Sequence, residues 1–251
     1  MYKKAYPFLK EVDSLALANV QLHLEKAYKN FFRDSKVGFP RFKSKHHSKN
    51  SYTTNVVNGN ILVEDNRIRL PKLKWISMKK HREPAENCRL KSVTVSMEPS
   101  GKYFASLLYE GYSCENQAAD KDYSNAKILG IDYAMQGMAV FSEEIEMEEA
   151  GFFRKNEKRL AREQRKLSRC VKGSSNYVRQ KKKVARCHEK IRNQRRDHLH
   201  KLSRRITDQY DIVAVEDIDM KAMSQCLHFG KSVQDNGYGM FRNMLDYKLA
   251  W

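Results

Sequence analysis

The sequence has no uninterrupted apolar run near the roughly 20 residues that cross a bilayer, so it offers no transmembrane helix. Its first ten residues, MYKKAYPFLK, lack the apolar centre of a secretory signal. It also has no CxxC pair. Cys88, Cys114, Cys170, Cys187 and Cys226 are scattered, which predicts reduced thiols in a cytoplasmic protein and argues against a disulfide framework. Zinc is not expected, and Cys226 and His228 have neither the partners nor the spacing to hold it. Acidic residues are scarce as well. The 251 residues carry 48 Lys and Arg against 30 Asp and Glu, a net charge of +18. Such an excess suits nucleic acid or an anionic membrane, with a nonspecific surface bias as the plain alternative. Apolar residues at 41% and aromatics at 10% describe a chain that folds, as one large domain or two smaller ones.

Apolar positions at helical spacing (Leu15, Leu17, Val20, Leu22, Leu24, Ala27, Tyr28, Phe31, Phe32) predict a helix within 8–33, capped by Asp13 or Ser14 and broken at Gly38 and Pro40. From residue 51 the period shortens. SYTTNVV, NILVED, NRIRLP, KSVTVSM and KYFASLLYEGY are β-branched or aromatic and are separated by turn signals, which predicts an antiparallel sheet or small barrel. The polar run 114–125 reads as a linker. The fold class expected is α+β in two domains, 1–120 and 121–251.

Charge is distributed unevenly. Residues 154–205 hold 21 Lys and Arg against four acids, nearly the whole surplus of the chain in a fifth of its length. Leu160, Leu167, Val184, Ile191, Leu199, Leu202 and Ile206 recur at helical spacing, and KGSSNY (172–177) interrupts them. This predicts a helical hairpin over about 154–206 with a thin apolar seam and a wide basic surface. A solvated helix pair would interleave acids for i,i+4 pairs of roughly 0.2–0.5 kcal/mol each. Here like charges face one another, which a polyanion would neutralise. Arg162, Arg165, Lys181, Lys182, Lys183, Arg195 and Arg196 are the candidate phosphate contacts, with Arg41, Lys43 and Lys45 as a second patch. Phe39, Phe42 and Tyr52 are of a type that stacks on bases, with core packing as the alternative.

ILGIDYA (128–134) and IVAVEDID (212–219) are both apolar strands that end in a carboxylate, Asp132 and Glu216. Side by side in one sheet they would offer hard oxygen ligands to Mg²⁺ or Mn²⁺, and two such ions about 3.5–4 Å apart can clamp an in-line phosphodiester cleavage. Each acid taken alone reads as a solvated strand end. Asp217 and Asp219 are poor partners, because successive strand residues point to opposite faces.

These stretches, together with NFFRDSKVGFPRFKSKHHSKNSYTTN (30–55), GIDYAMQGMAVFS (130–142), KRLAREQRKLSR (158–169) and HEKIRNQRRDHLHKLSRRI (188–206), resemble the TnpB family. These are OrfB-type transposon proteins related to the compact type V CRISPR effectors. The resemblance covers almost the whole chain in order. It implies an RNA-guided DNA endonuclease with a RuvC nuclease domain of RNase H-like fold, and guide RNA and target DNA as partners. It also implies a wedge-like N-terminal β domain with a recognition helix, and a basic hairpin inserted in the nuclease domain. Asp132 and Glu216 match the first two RuvC acids, both binding Mg²⁺, and residues 38–43 match a segment near the nucleic-acid channel. The family pattern continues into paired CxxC motifs and a third RuvC aspartate. With neither before Trp251, the expectation is a fragment truncated at both ends, with little or no cleavage of its own. A non-catalytic relative that only binds RNA or DNA is the alternative. A ribosome-associated or RNA-chaperone role is a third reading, and it leaves the two acids unexplained.

Overall fold

A computed structural model of the protein describes residues 2–34, 36–42, 44, 49–111, 124–134, 138–145, 151–219 and 237–250. The chain divides into two compact units, Met1–Cys114 and Glu115–Trp251. Lys43, Lys45, Cys226, His228, most of the expected linker and the turn at 135–137 lie outside the described residues.

The first unit opens with a one-turn helix α1 (Tyr2–Ala5), a 3-10 turn (Pro7–Lys10) and helix α2 (Ser14–Arg33). The long helix begins at Ser14 because the proline-led 3-10 turn closes separately. Asp13 caps it, one carboxylate oxygen accepting from the Leu15 amide at 3.2 Å and the other from the Thr54 hydroxyl. Asn19 donates to the Thr53 carbonyl at 3.0 Å, so two polar side chains bind the helix to strand β1 (Asn50–Asn55).

Two three-stranded antiparallel sheets follow. In one, β1 pairs with β5 (Arg89–Met97), which pairs with β6 (Tyr103–Glu110). The other is a meander of β2 (Leu62–Glu64), β3 (Arg67–Leu70) and β4 (Lys74–Ser77). Asn58 and Gly59, at φ of 51° and 69°, form the left-handed Asn-Gly corner between β1 and β2. Ile61, Ile68 and Leu70 from the meander region bury against Val93 of β5 in one shared core.

The second unit contains β7 (Ile128–Ala134), β8 (Met138–Phe141), helices α3 (Phe152–Ser168) and α4 (Ser175–Gln209), β9 (Ile212–Val215) and α5 (Tyr238–Leu249). Its sheet runs β8-β7-β9, with β8 antiparallel to β7 and β9 parallel to it. A parallel neighbour requires a long crossover, and the α3–α4 hairpin supplies it. The Ser174 hydroxyl caps α4 by accepting from the Tyr177 amide at 3.1 Å.

Thirty-five residues make α4 about 52 Å long at 1.5 Å per residue. Its first half packs on α3 through Cys187 and Ile191 against Leu160. Leu199, Leu202 and Ile206 in its second half join Leu129 and Ile131 of β7 and Phe241, Met244 and Leu245 of α5. Lys248 of α5 donates to the His200 carbonyl at 2.8 Å and the Ser203 hydroxyl at 2.7 Å, which fixes the last helix along α4. No helix among the described residues is long and apolar enough to cross a membrane.

Phe241 is fully buried where α5 meets the sheet. Replacing it with alanine is expected to lower stability by about 3–5 kcal/mol in chemical denaturation of the second unit's transition. Asp13→Ala is expected to cost the first unit about 1–2 kcal/mol through the lost cap and the Thr54 bond.

Candidate metal and nucleic-acid sites

The last paired residues of β7 and β9 are Ile131 and Val215, and the Glu216 amide reaches the Ile131 carbonyl at 3.4 Å. One step further, the same register sets Asp132 beside Glu216. Leu129, Ile131, Val213 and Val215 face the helical core, so by alternation Asp132 and Glu216 share the opposite, open face. The two carboxyls lie close enough to share a hydrogen bond when one of them is protonated. That bond to Asp132, followed by burial and by repulsion from the Asp132 charge, pushes the Glu216 carboxyl above the ordinary range.

A divalent cation could take the place of the shared proton, and two exposed carboxylates offering hard oxygens fit Mg²⁺ or Mn²⁺ in donor type. Among the described residues no group of three or more metal-binding side chains is present. Asp217 is engaged elsewhere, paired with Arg242 of α5 at 2.8 Å.

Tyr238, at the start of α5, was not legible as a site residue. Its ring meets Tyr133 edge-on at 5.1 Å, and its buried hydroxyl has no hydrogen-bond partner among the described residues. Burial pushes the phenol up; Arg242 opposes the shift, and the charges of Glu216 and Asp132 add to it. The one sequence signal for this position is Gly237 just before it, at φ 68°, where a Cβ would fall 3.0 Å from Arg195 Cδ and 3.2 Å from Leu199 Cδ1.

The hairpin places its cations selectively. Lys181, Lys182 and Lys183 are exposed on α4. Arg165 turns back toward the Ala161 carbonyl at 3.4 Å, and Arg162 lies 3.6 Å from Glu163. Arg196 is exposed beside His200, whereas Arg195 has a buried Nε and packs its stem near Gly237. Arg195 therefore serves the core more than the surface. Arg41 is exposed in the first unit.

A cleft of about 310 Å³ between α3 and α4 collects Arg159 and Lys166 from one helix and Lys183, Arg186 and Lys190 from the other. Glu163 is its only acid. A hydrogen bond from Gln180, assisted by Lys166 and Arg162 against an opposing burial effect, holds that carboxyl below the usual range. Of these five cations only Lys183 stood among the sequence candidates. The spacings 159/166 and 183/186/190 put each set on one helical face, a signal readable only once the two helices are known to face each other.

The second unit thus combines paired strand-end carboxylates with a strongly basic crossover. Several known proteins resemble the chain in sequence. Residues 111–227 match the OrfB family of IS605-type elements, described as "Probable transposase". Over 97% of its length the chain is 32% identical to "Putative RNA-guided DNA endonuclease InsQ" of Escherichia coli K12, of which it covers 62%. It is also 32% identical to a "Putative RNA-guided DNA endonuclease" of Streptomyces pristinaespiralis, covering 59% of that protein. The chain is thus similar in sequence to the OrfB-type transposase proteins, and it spans about three fifths of the length of these curated relatives.

The shared hydrogen bond makes a prediction about pH. A carboxyl with a raised folded-state pKa contributes stability at low pH that is lost as pH rises through that pKa. The unfolding temperature in metal-free buffer should therefore fall as Glu216 ionises above the ordinary carboxylate range. Asp132→Asn should flatten that fall and return the Glu216 carboxyl toward its usual range in an NMR titration. Millimolar Mg²⁺ should raise the unfolding temperature of the unmodified chain only.

Proposed function

We propose that this chain supplies the metal-binding and nucleic-acid-gripping parts of an RNA-guided DNA endonuclease, with Asp132 and Glu216 as the metal-holding acids. The observation that carries this reading is the parallel register that sets the two carboxyls beside each other on an open sheet face. The names of the relatives support RNA and DNA as partners. In this reading the second unit corresponds to a RuvC-like nuclease domain of RNase H-like topology and the first to a wedge-like domain carrying α2.

When bound, the divalent ions would stabilise charge on the phosphodiester and activate a water. The chain's own contribution is positional. β7 and β9 hold the two acids in register, Tyr238 shields their core side, and the cationic cleft of the hairpin binds phosphate. A binding-only role is the second reading. It is favoured by the cationic cleft, which can hold phosphate without a metal ion.

One experiment separates the two: the chain is combined with RNA, duplex DNA and Mg²⁺, and cleavage and binding are measured together. Asp132→Asn or Glu216→Gln should lower any cleavage on the order of 100-fold or more while leaving affinity unchanged. Salt-dependent binding without cleavage by the unmodified chain would establish the binding-only reading. Lys183→Gln, Arg186→Gln and Lys190→Gln together should reduce the slope of log affinity against log salt by about 2–3, from roughly 0.9 per phosphate contact. An unchanged slope would remove the cleft from the interface.

A further inference from the structure

The end of α2 and the segment after it carry aromatic rings that belong to no hydrophobic core among the described residues. Tyr28 stacks on Phe32 at 6.4 Å, Phe32 meets Phe31 at 5.2 Å, Phe31 meets Phe39 at 5.4 Å, and Phe39 returns to Tyr28 at 5.7 Å. The contacts close into a four-ring cluster in which every ring is braced by two others. Two of its members remain largely in water, Phe32 at 79% exposure and Phe39 at 60%, and the nearby Phe42 is fully exposed. Tyr52, the third aromatic considered from sequence, is partly buried, and its phenol is pushed up by burial and by the Asp13 charge.

Mutually packed apolar rings left in solvent suit an occupant, and the charge of the neighbouring sequence says which kind. Residues 26–49 contain eight Lys and Arg and a single acid, Asp34. Arg33, Lys36 and Arg41 of this set are exposed and adjoin the ring-bearing residues in sequence. Asp34 is partly spent locally, accepting from the Lys36 amide at 2.9 Å. An apolar protein segment would gain nothing from that surplus of positive charge. A single-stranded nucleic acid gains from both, by placing phosphates on the cations and bases on the rings.

We infer that Phe32 and Phe39, braced by Tyr28 and Phe31, form a stacking platform for unpaired bases of an RNA partner. The choice of RNA rests on the proposed function: folded RNA presents loops and ends with unstacked bases, whereas the DNA partner is paired at rest. The platform uses π-faces and so reads no particular sequence. It lies in the first unit, away in sequence from both the carboxylate pair and the cationic cleft.

The test is fluorescence anisotropy of the full chain with an oligouridylate, an oligothymidylate and an abasic sugar-phosphate oligomer of equal length. The unmodified protein should bind oligouridylate more tightly than the abasic oligomer. Phe32→Ala with Phe39→Ala should weaken oligouridylate binding roughly 5- to 100-fold, the range for one stacked base, and leave the abasic affinity and its salt slope unchanged. Phe32→Trp with Phe39→Trp should restore it. The leucine pair keeps the apolar bulk without the π-face and should behave like the alanine pair, which guards against loss through misfolding. Equal losses on the abasic oligomer, no loss on oligouridylate, or full affinity with leucine would overturn the platform. A tenfold preference for oligothymidylate would overturn the assignment to RNA. Failure of the polyanion reading would look different: no salt-dependent binding of the abasic oligomer by any variant.

Discussion

The parallel pairing of β7 with β9 is the constraint on which the second unit depends. Two parallel strands cannot be joined by a tight turn, so whatever lies between them must travel the length of the sheet and return. In this chain the connection is α3 and α4, the two helices that hold most of the excess positive charge. The need for a crossover thus places the basic hairpin in the same unit as the acidic pair. The same register decides the pair itself: a slip of one residue would turn Glu216 to the core face and leave Asp132 alone.

The hairpin is held together against its own charge. Its apolar seam is narrow, with Leu160, Cys187 and Ile191 at the centre. The few acids are used close to home, as with Glu163 gripped by Gln180 and the surface pairs Lys201–Asp197 and Arg204–Asp208. Exposed pairs of that kind contribute at most about 1 kcal/mol each and weaken with salt. The stability of α4 therefore comes mainly from its second half, where Leu199, Leu202 and Ile206 are enclosed by the sheet and α5.

The two acid-ended strands could be read from sequence because an apolar run ending in a carboxylate carries its own strand and its own exposed end. Their shared face followed from the alternation of side chains. The hairpin was legible from spacing and charge. Strand β4 was not, because all four of its residues, Lys74 to Ser77, are exposed and show no alternation. The partition of the cations was not legible either. Arg195 and Arg196 look identical in sequence, yet one lies against Gly237 and the other beside a surface histidine. The difference depends on where α5 lies, which is tertiary information. Tyr238 escaped for the same reason, since its nearness to the acids depends on α5 and β9 meeting in space.

Helix α4 belongs to two cores at once, one beneath the cationic cleft and one beneath the carboxylate face, and it is continuous between them. A continuous helix of that length behaves as a rod. Lys183 and Leu202 lie on that one rod, and Leu202 packs under β7, the strand that carries Asp132. One continuous backbone thus carries both the lining of the basic cleft and the underside of the carboxylate-bearing sheet.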